Sequence, residues 1–407
     1  MALLGSVNIN HNLSAGREIA LRELMRAPFK LTVYTSNVVD LARAVAAGLV
    51  VLLHARIYTI GDAEGVLGSV VYAFTYGGTQ AVFWFFVISG YLVGGSVLSG
   101  IAENRFSFRS YFSARFSRLY IVLVPAFLLT YALDSWRHAF VGINAHAGLE
   151  TAASLSLPTI LGNLLFLETL FVPTLGSNYA LWSLANEFWY YVTFPLLLAP
   201  LMMNKSRRAR AALFILGLVI LGVLARISIS LVWLFVPWCM GAALRVCRYS
   251  PIKSMPLAWL LAIAMVLIFP YIHPVVGPVA TLLVATTFSA VILASHGKAD
   301  VVPWKSARVI KAFAEFSFSL YVVHLALMHL LATVPAGNAD PIRQIPQFSL
   351  EAAGSMVILV GTSYCAAFLL AQLTERHTSW LRARLLVALG PLRISEVATP
   401  AKTAKIA

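Results

Sequence analysis

The sequence predicts an all-α integral membrane protein, a bundle of about ten transmembrane helices with both termini in the cytoplasm. Of the 407 residues, 60% are hydrophobic and only 11% are charged, and the mean hydropathy is +0.82. Ordinary soluble domains carry about 25% charged residues, so this chain is too apolar to fold as one or two water-soluble cores. Apolar stretches of membrane-spanning length, separated by basic loops, complete the pattern.

Ten stretches are long and apolar enough to cross a bilayer, because a transmembrane helix needs about 20 mostly apolar residues. A further apolar stretch over 155–172 is short and broken by Pro158 and Pro173, which predicts a re-entrant or interfacial segment. The predicted spans cover residues 38–58, 80–99, 119–136, 179–202, 211–228, 229–246, 257–273, 275–295, 313–333 and 351–373.

Positive charge sets the predicted orientation, because Lys and Arg concentrate in cytoplasmic loops. With the N-terminus in the cytoplasm, most of the 30 basic residues fall on the cytoplasmic side, and the opposite loops hold only Arg137, Arg226 and Arg343. The net charge of +14 therefore indicates membrane topology, and no nucleic-acid partner is expected. The predicted parts are a cytoplasmic N-terminal segment (1–37), a transmembrane domain (38–373) and a basic cytoplasmic tail (374–407).

The first helix carries two residues that are costly to bury in hydrocarbon, Arg43 and His54. A charge at the membrane centre costs at least about 2.5–3.5 kcal/mol on insertion scales. Eleven positions correspond to about 16 Å and three turns of helix, so both side chains lie on one face. The alternative is an arginine that snorkels to the head groups and a histidine satisfied by a neighbour.

The second helix and the loop after it add further candidates. Gly90 and Gly94 form a small-xxx-small pattern that close helix packing explains, but packing explains Ser89 less well. Arg115 and Arg118, three residues apart, are neighbours on a helix surface, and two guanidinium groups at that spacing can bind a phosphate or pyrophosphate. Ordinary positive charge of a cytoplasmic loop is the alternative for this pair.

Polar residues also occur inside two later spans. Glu187 is a carboxylate at membrane depth on the fourth helix. It could orient a histidine of another helix, or it could form a structural ion pair with Arg43 or Arg226. On the ninth helix, Ser317, Tyr321 and His324 share one face. No Cys or His spacing is typical of a zinc site, so no metal is expected.

Taken in order, these motifs resemble the acyltransferase-3 family of integral membrane acyltransferases. The resemblance covers about residues 35–377, and the ordered set of motifs is more specific than any one of them. The matching stretches are Arg43-x10-His54, Phe85-Phe86-Val-Ile-Ser89-Gly90-Tyr91-Leu92, Arg115-x-x-Arg118, Trp182-Ser183-Leu-x-x-Glu187, Ser319-Leu-Tyr321-x-x-His324 and Glu375.

The resemblance implies about ten transmembrane helices in the cytoplasmic (inner) membrane. It implies transfer of an acyl group, acetyl by default, from cytosolic acyl-coenzyme A to a hydroxyl of a cell-surface or lipid-linked glycan. His54 matches the family's catalytic histidine, and Arg43, Arg115 and Arg118 match its essential arginines. Some relatives carry a fused extracytoplasmic domain, and we expect any acceptor-side partner of this kind to be a separate protein.

The chemistry of the residues is consistent with this activity. A histidine with an unperturbed pKa of about 6.5 suits general-base catalysis, and we expect His54 to activate the acceptor with support from Glu187. Ser89, Tyr321 or a bound water could stabilise the oxyanion, and His324 could line the site. Direct transfer and an acyl-His54 intermediate both remain open.

Two other classes of function use the same residues. In a proton-coupled transporter, His54, Glu187 and His324 would form a proton relay. In a sensor or scaffold, the buried charges would be structural.

The orientation is testable by cysteine labelling. A single cysteine placed in the loop 59–79, in a chain lacking Cys239, Cys247 and Cys365, should react with an impermeant thiol reagent added outside intact cells, because that loop is predicted to face outward. Reaction only after the cytoplasmic side is opened to the reagent would overturn the predicted orientation. A cysteine at Lys205, on the predicted cytoplasmic side, is the matched control.

Overall fold

A computed structural model of the chain describes residues 31–60, 65–141, 152–202, 204–247, 250–296, 298, 306–333 and 349–390. Within these ranges every regular element is helical, apart from one isolated bridge between Glu168 and Val172. Most of the predicted N-terminal segment and the end of the predicted tail lie outside the described residues.

The described elements begin with α1 and end with α14. A π-helical turn, Gly90–Gly94, joins α2 to α3, and short 3₁₀ turns lie at Ala152–Leu155, Tyr179–Leu181, Ala199–Leu201 and Glu375–His377. The helices are α1 Val33–Thr59, α2 Gly65–Ser89, α3 Gly95–Ala102, α4 Phe108–Val141, α5 Leu157–Leu164, α6 Trp182–Leu197, α7 Arg207–Ile227, α8 Ile229–Leu244, α9 Met255–Val276, α10 Pro278–Ser295, α11 Ala307–Glu315, α12 Ser317–Thr333, α13 Leu350–Leu373 and α14 Thr378–Ala388.

The helices confirm an all-α membrane protein. Among the described residues, seven helical stretches are long and apolar enough to cross a membrane, and α11 with α12 make an eighth that is bent by 54°. The predicted spans 179–202 and 229–246 correspond to α6 and α8, which have only 16 residues each. The count of ten spans and the cytoplasmic position of the termini therefore stay predictions.

Several helices begin at a serine or threonine that caps free backbone N–H groups. The Thr32 hydroxyl accepts from the Thr35 N–H at 3.1 Å, and Ser349 accepts from Ala352 at 3.1 Å. Ser206 does the same at the start of α7. These caps fix the residues at which α1, α7 and α13 start.

Helices α1, α4 and α12 run in the same direction and frame the site. Arg43 of α1 meets the start of α12, and Tyr58 near the end of α1 meets His329 near the end of α12. We call the end of the bundle that carries Arg43, Arg115 and Arg118 the arginine end, and the end that carries Tyr58 the opposite end.

The segment 152–181 enters the bundle and returns. Near its turn, Tyr120 of α4 donates to the Leu164 carbonyl at 2.7 Å; on its return, the Ser177 N–H donates to Asp134 of α4 at 2.9 Å. Fourteen residues of α4 separate these two contacts, about 21 Å of helix. Asn163 joins the two limbs by accepting from the Leu175 N–H at 3.0 Å. This geometry agrees with the re-entrant interpretation of 155–172, since irregular backbone at membrane depth must be satisfied by protein.

Close glycine contacts hold α8 against α2 and its π turn. A Cβ added to Gly90 would lie 1.8 Å from the Trp238 carbonyl oxygen, and one added to Gly241 would lie 2.0 Å from the Val87 oxygen. A Cβ added to Gly94 would lie 2.6 Å from the Ala242 Cβ. The predicted packing role of Gly90 and Gly94 is therefore confirmed, and this close approach carries the indole of Trp238 to Ser89.

Replacing Gly241 by alanine should destabilise the bundle, because the new methyl group would overlap backbone of α2 that has no room to move. We expect a loss of about 1–3 kcal/mol or more, measured as a lower unfolding temperature of the detergent-purified protein at a fixed scan rate. Gly222→Ala on α7 is the matched control, since nothing lies within 4 Å of its added Cβ. Equal unfolding temperatures for the two variants would contradict the packing argument.

Candidate active site

A cavity of about 280 Å³ opens among α1, α2, α4, α6 and α12, and we call it the arginine cavity. It gathers most of the site residues predicted from the sequence, which come from five separate stretches of chain. The predicted residues that line it are Arg43, Ser89, Arg115, Arg118, Glu187 and Tyr321.

Arg43 is anchored inside the bundle. Its Nη2 donates to the Ser317 hydroxyl at 3.0 Å, and its Nη1 lies 3.8 Å from the Asp40 carboxylate. Ser317 in turn donates to the Ala314 carbonyl at 2.7 Å. The arginine therefore lines the cavity instead of snorkelling to head groups, and most of its N–H donors remain available to an anion.

Glu187 ends a directed chain of hydrogen bonds. The Trp238 indole N–H donates to the Ser89 hydroxyl at 3.0 Å, Ser89 lies 3.2 Å from the Tyr191 hydroxyl, and Tyr191 donates to Glu187 at 3.1 Å. An indole only donates and an ionised carboxylate only accepts, so Ser89 accepts from Trp238 and directs its own hydrogen to Tyr191 or to Glu187. The chain stabilises a negative charge on Glu187 and engages the Ser89 hydroxyl, which leaves Ser89 poorly placed as an oxyanion donor.

The structure places Glu187 with the arginines and not with His54. Within the described residues, no ion pair shorter than 4.0 Å joins Glu187 to Arg43 or Arg226, and no hydrogen bond or ring contact joins it to His54. Glu187 was expected to support His54, but no direct contact between the two side chains occurs among the described residues.

His54 pairs with His324 on α12. Their nearest nitrogens, His54 Nδ1 and His324 Nε2, are 3.1 Å apart. The His324 Nδ1 lies 3.0 Å from the Leu320 carbonyl and 2.9 Å from that of Tyr321. A carbonyl can only accept, so His324 Nδ1 carries the hydrogen, and in the neutral ring Nε2 is an acceptor.

The same reasoning fixes the tautomer of His54. Its Nδ1 lies 2.9 Å from the Val50 carbonyl and faces the acceptor nitrogen of His324, so Nδ1 carries the hydrogen and Nε2 has the lone pair. Within the described part of the chain no hydrogen bond engages Nε2. The Tyr179 ring lies edge-on at 5.5 Å between centroids. His54 therefore presents a basic nitrogen that its neighbours leave available.

Tyr321 separates the arginine cavity from the histidine pair. Its hydroxyl donates to the Ala180 carbonyl at 2.7 Å and lies 2.6 Å from the Ser183 hydroxyl. Its ring lines the cavity on one side and lies 6.0 Å from the His324 ring on the other. Neither histidine belongs to the described cavity lining, so the histidine pair lies beyond Tyr321, outside the arginine cavity.

Sequence reasoning missed a second polar cluster, toward the opposite end. Tyr58 lies 3.2 Å from His329 Nδ1, and Asp134 accepts from the Ser177 N–H and hydroxyl, both at 2.9 Å. Arg137 was expected in an outer loop, but it belongs to α4 and is only 1% exposed. The available signal was the three-residue spacing of Asp134 and Arg137, which places them together on one helix face.

No group of three or more His, Cys, Asp or Glu side chains that could hold a metal ion occurs among the described residues.

A model of the acyltransferase domain of the acyltransferase-3 family matches residues 37–372, which include every predicted site residue. The chain belongs to the acyltransferase-3 family. This acyltransferase-3 chain is also 33% identical over 148 residues to an uncharacterized protein of Haemophilus influenzae, a match that covers 35% of the chain and 58% of that protein. No solved structure matches the chain.

Proposed function

We propose that this membrane acyltransferase transfers an acyl group, acetyl by default, from cytosolic acyl-coenzyme A to a hydroxyl of a cell-surface or lipid-linked glycan at the inner membrane. Family membership supports the reaction class. One observation carries the specific mechanism: three arginines line a cavity on one side of Tyr321, and His54, with a basic nitrogen available, lies on the other side next to His324.

The arginine end is where the donor binds in this proposal. Coenzyme A is a cytosolic polyanion, and arginine is suited to phosphate recognition because its planar guanidinium can donate two parallel hydrogen bonds. The arginine cavity, at about 280 Å³, is at the lower limit of ligand sites, which span roughly 300–1,000 Å³. It is therefore sized for the pantetheine arm and thioester, with the nucleotide outside.

His54 is the general base in this mechanism. Its Nε2 takes the proton of the acceptor hydroxyl as that oxygen attacks the thioester carbonyl. The tetrahedral intermediate then collapses, the carbon–sulfur bond breaks, and the proton on His54 passes to the departing thiolate. The products are an ester and free coenzyme A, with no net proton change. Catalysis of this kind contributes about 10²–10⁴-fold.

His324 holds His54 in the required tautomer. By accepting from Nδ1–H it keeps the lone pair on Nε2 and stabilises the imidazolium that forms during the reaction. Glu187 acts at the donor side, where its carboxylate lies among Arg43, Arg115 and Arg118 and balances their charge. The thioester reaches His54 when the Tyr321 side chain moves aside, since Tyr321 lies between the arginine cavity and the histidine pair.

Thiol release tests the reaction. Purified protein given acetyl-coenzyme A and an acceptor glycan should release free thiol, and His54→Ala should lose at least about 100-fold of that rate because the base is gone. His273→Ala, an exposed histidine of α9, is the matched control and should keep full activity. Full turnover by His54→Ala would exclude His54 as the base.

Two further outcomes separate the competing mechanisms. Radiolabelled acetyl retained on the wild-type protein without acceptor, and absent from His54→Ala, would replace direct transfer by an acyl-His54 intermediate. Proton movement in proteoliposomes, with no thiol release from any donor, would favour the transporter. Within the described contacts, Glu187 does not join the two histidines, so the relay that a transporter needs has a gap.

His324→Leu should lower kcat and leave the KM for acyl-coenzyme A unchanged, because His324 acts through His54 and not on the donor. Losing one hydrogen bond to a charged group corresponds to about 10–100-fold in rate. His324→Gln, whose amide oxygen can accept from Nδ1–H, should recover part of this loss. Equal kcat values for the leucine and glutamine variants, or a rise in KM alone, would show that His324 does not position His54.

A further inference from the structure

We propose that helix α14 completes the donor site by binding the 3′-phosphate of the nucleotide end of coenzyme A, an inference that rests on the proposed function. The family match ends at residue 372, before α14 begins at Thr378. The helix therefore lies beyond the residues that the family model matches, and the sequence motifs assign it no role.

A second cavity, of about 670 Å³, lies between the start of α4 and α14. It shares Arg115 and Arg118 with the arginine cavity, so the two cavities adjoin at these side chains. Its volume lies inside the roughly 300–1,000 Å³ of typical ligand sites. A donor whose acyl-pantetheine arm fills the arginine cavity would place its nucleotide in this second cavity.

The charge of the second cavity favours a polyanion. Its lining includes four arginines, Arg115, Arg118, Arg376 and Arg382, and a single carboxylate, Glu375. That carboxylate already accepts from the Ser319 hydroxyl at 2.6 Å and from the Ser319 N–H at 3.3 Å. Among the described residues, none of the four arginines has an ion pair shorter than 4.0 Å. Their mutual repulsion is relieved when an anion binds.

The α14 side of the cavity has the donors that a phosphate needs. Arg376 donates to the Gln372 amide oxygen at 3.0 Å, and Arg382 donates to the Ser110 hydroxyl at 3.2 Å. Both partners are neutral, so each guanidinium keeps its full charge and further N–H donors. Ser379 of the first helical turn also lines the cavity, and its hydroxyl is a further donor type suited to phosphate.

Helix α14 is held in place independently of any ligand. Arg109 of α4 donates to the Leu386 carbonyl near the end of α14, and the Arg382–Ser110 contact joins the same two helices. The Arg109 contact does not involve any of the four cavity arginines, so it still joins α14 to α4 when Arg382 is replaced.

A phosphomonoester is the group that these arginines suit best, because it carries roughly −1.5 to −2 charges and three acceptor oxygens. The 3′-phosphate of coenzyme A is one source of this chemistry. The head group of an anionic lipid is another source of phosphate at a membrane surface. The position next to the arginine cavity favours the nucleotide.

The test compares acetyl-coenzyme A with 3′-dephospho-acetyl-coenzyme A in lipid-free detergent. The wild type should have a lower KM for the phosphorylated donor. Arg382→Ala should raise that KM by about 10-fold and leave the KM for the dephospho donor unchanged, so the preference for the 3′-phosphate is lost. Arg384→Ala on the same helix is the matched control, because Arg384 packs over Trp380 and does not belong to the cavity lining.

Each contrary result has a distinct meaning. Equal KM changes for both donors, or no change, would overturn the assignment of the 3′-phosphate to α14; Arg376→Ala provides a second variant if Arg382→Ala does not fold. If Arg382→Ala alters only the dependence on phosphatidylglycerol in nanodiscs, the arginines bind lipid and the inference fails. If the wild type releases no thiol from either donor, the proposed function fails. Titration with adenosine 3′,5′-bisphosphate then still decides whether α14 binds the nucleotide.

Discussion

The site depends on one constraint: a charged or polar side chain at membrane depth must find its partner inside the protein. Arg43, Glu187 and the histidine pair each meet this constraint in a different way. Arg43 of α1 donates a hydrogen bond to Ser317 of α12. Glu187 accepts at the end of a chain of hydrogen bonds that starts at Trp238. The Nδ1 of His54 lies within hydrogen-bond distance of the Val50 carbonyl and of His324 Nε2. Because these partners lie on different helices, the same contacts that satisfy each group also hold α1, α2, α6, α8 and α12 in register.

The spacing of Arg43 and His54 was predictable because it is a property of one helix. Eleven residues of α1 return both side chains to the same face, and the structure turns both inward. The partners on α12, Ser317 and His324, are only seven residues apart, a difference of about 6 Å along the helix. The long side chain of Arg43 bridges this offset. Such an offset depends on how two helices pack, and the sequence of either helix alone does not contain it.

The same limit explains the other differences between sequence and structure. Glu187 was expected near His54, but the rotation of α6 turns it toward Arg115 and Arg118. The buried cluster at Asp134 was overlooked because Asp134 lies near the end of the predicted span 119–136, where a charged side chain usually reaches water. The stretch 155–172 was interpreted as re-entrant or interfacial from its prolines and short length, whereas the contact of the segment with Asp134 required the fold. Helix boundaries and faces are local properties, and contacts between helices are not.

The position of Tyr321 between the arginine cavity and the histidine pair has a chemical consequence for the proposed reaction. A thioester held beside a general base and open to cytosolic water would hydrolyse, so an acyltransferase gains from keeping donor and base apart until the acceptor is present. In the proposed mechanism Tyr321 would provide that separation, held in place by hydrogen bonds to Ala180 and Ser183. Ala180 lies in the 3₁₀ turn at the end of the segment 152–181, which contacts α4 near the opposite end, and Ser183 lies in the first turn of α6. In the proposed mechanism, the thioester would therefore reach His54 only when the hydrogen bonds from Tyr321 to Ala180 and Ser183 break, which couples its access to the position of the segment 152–181.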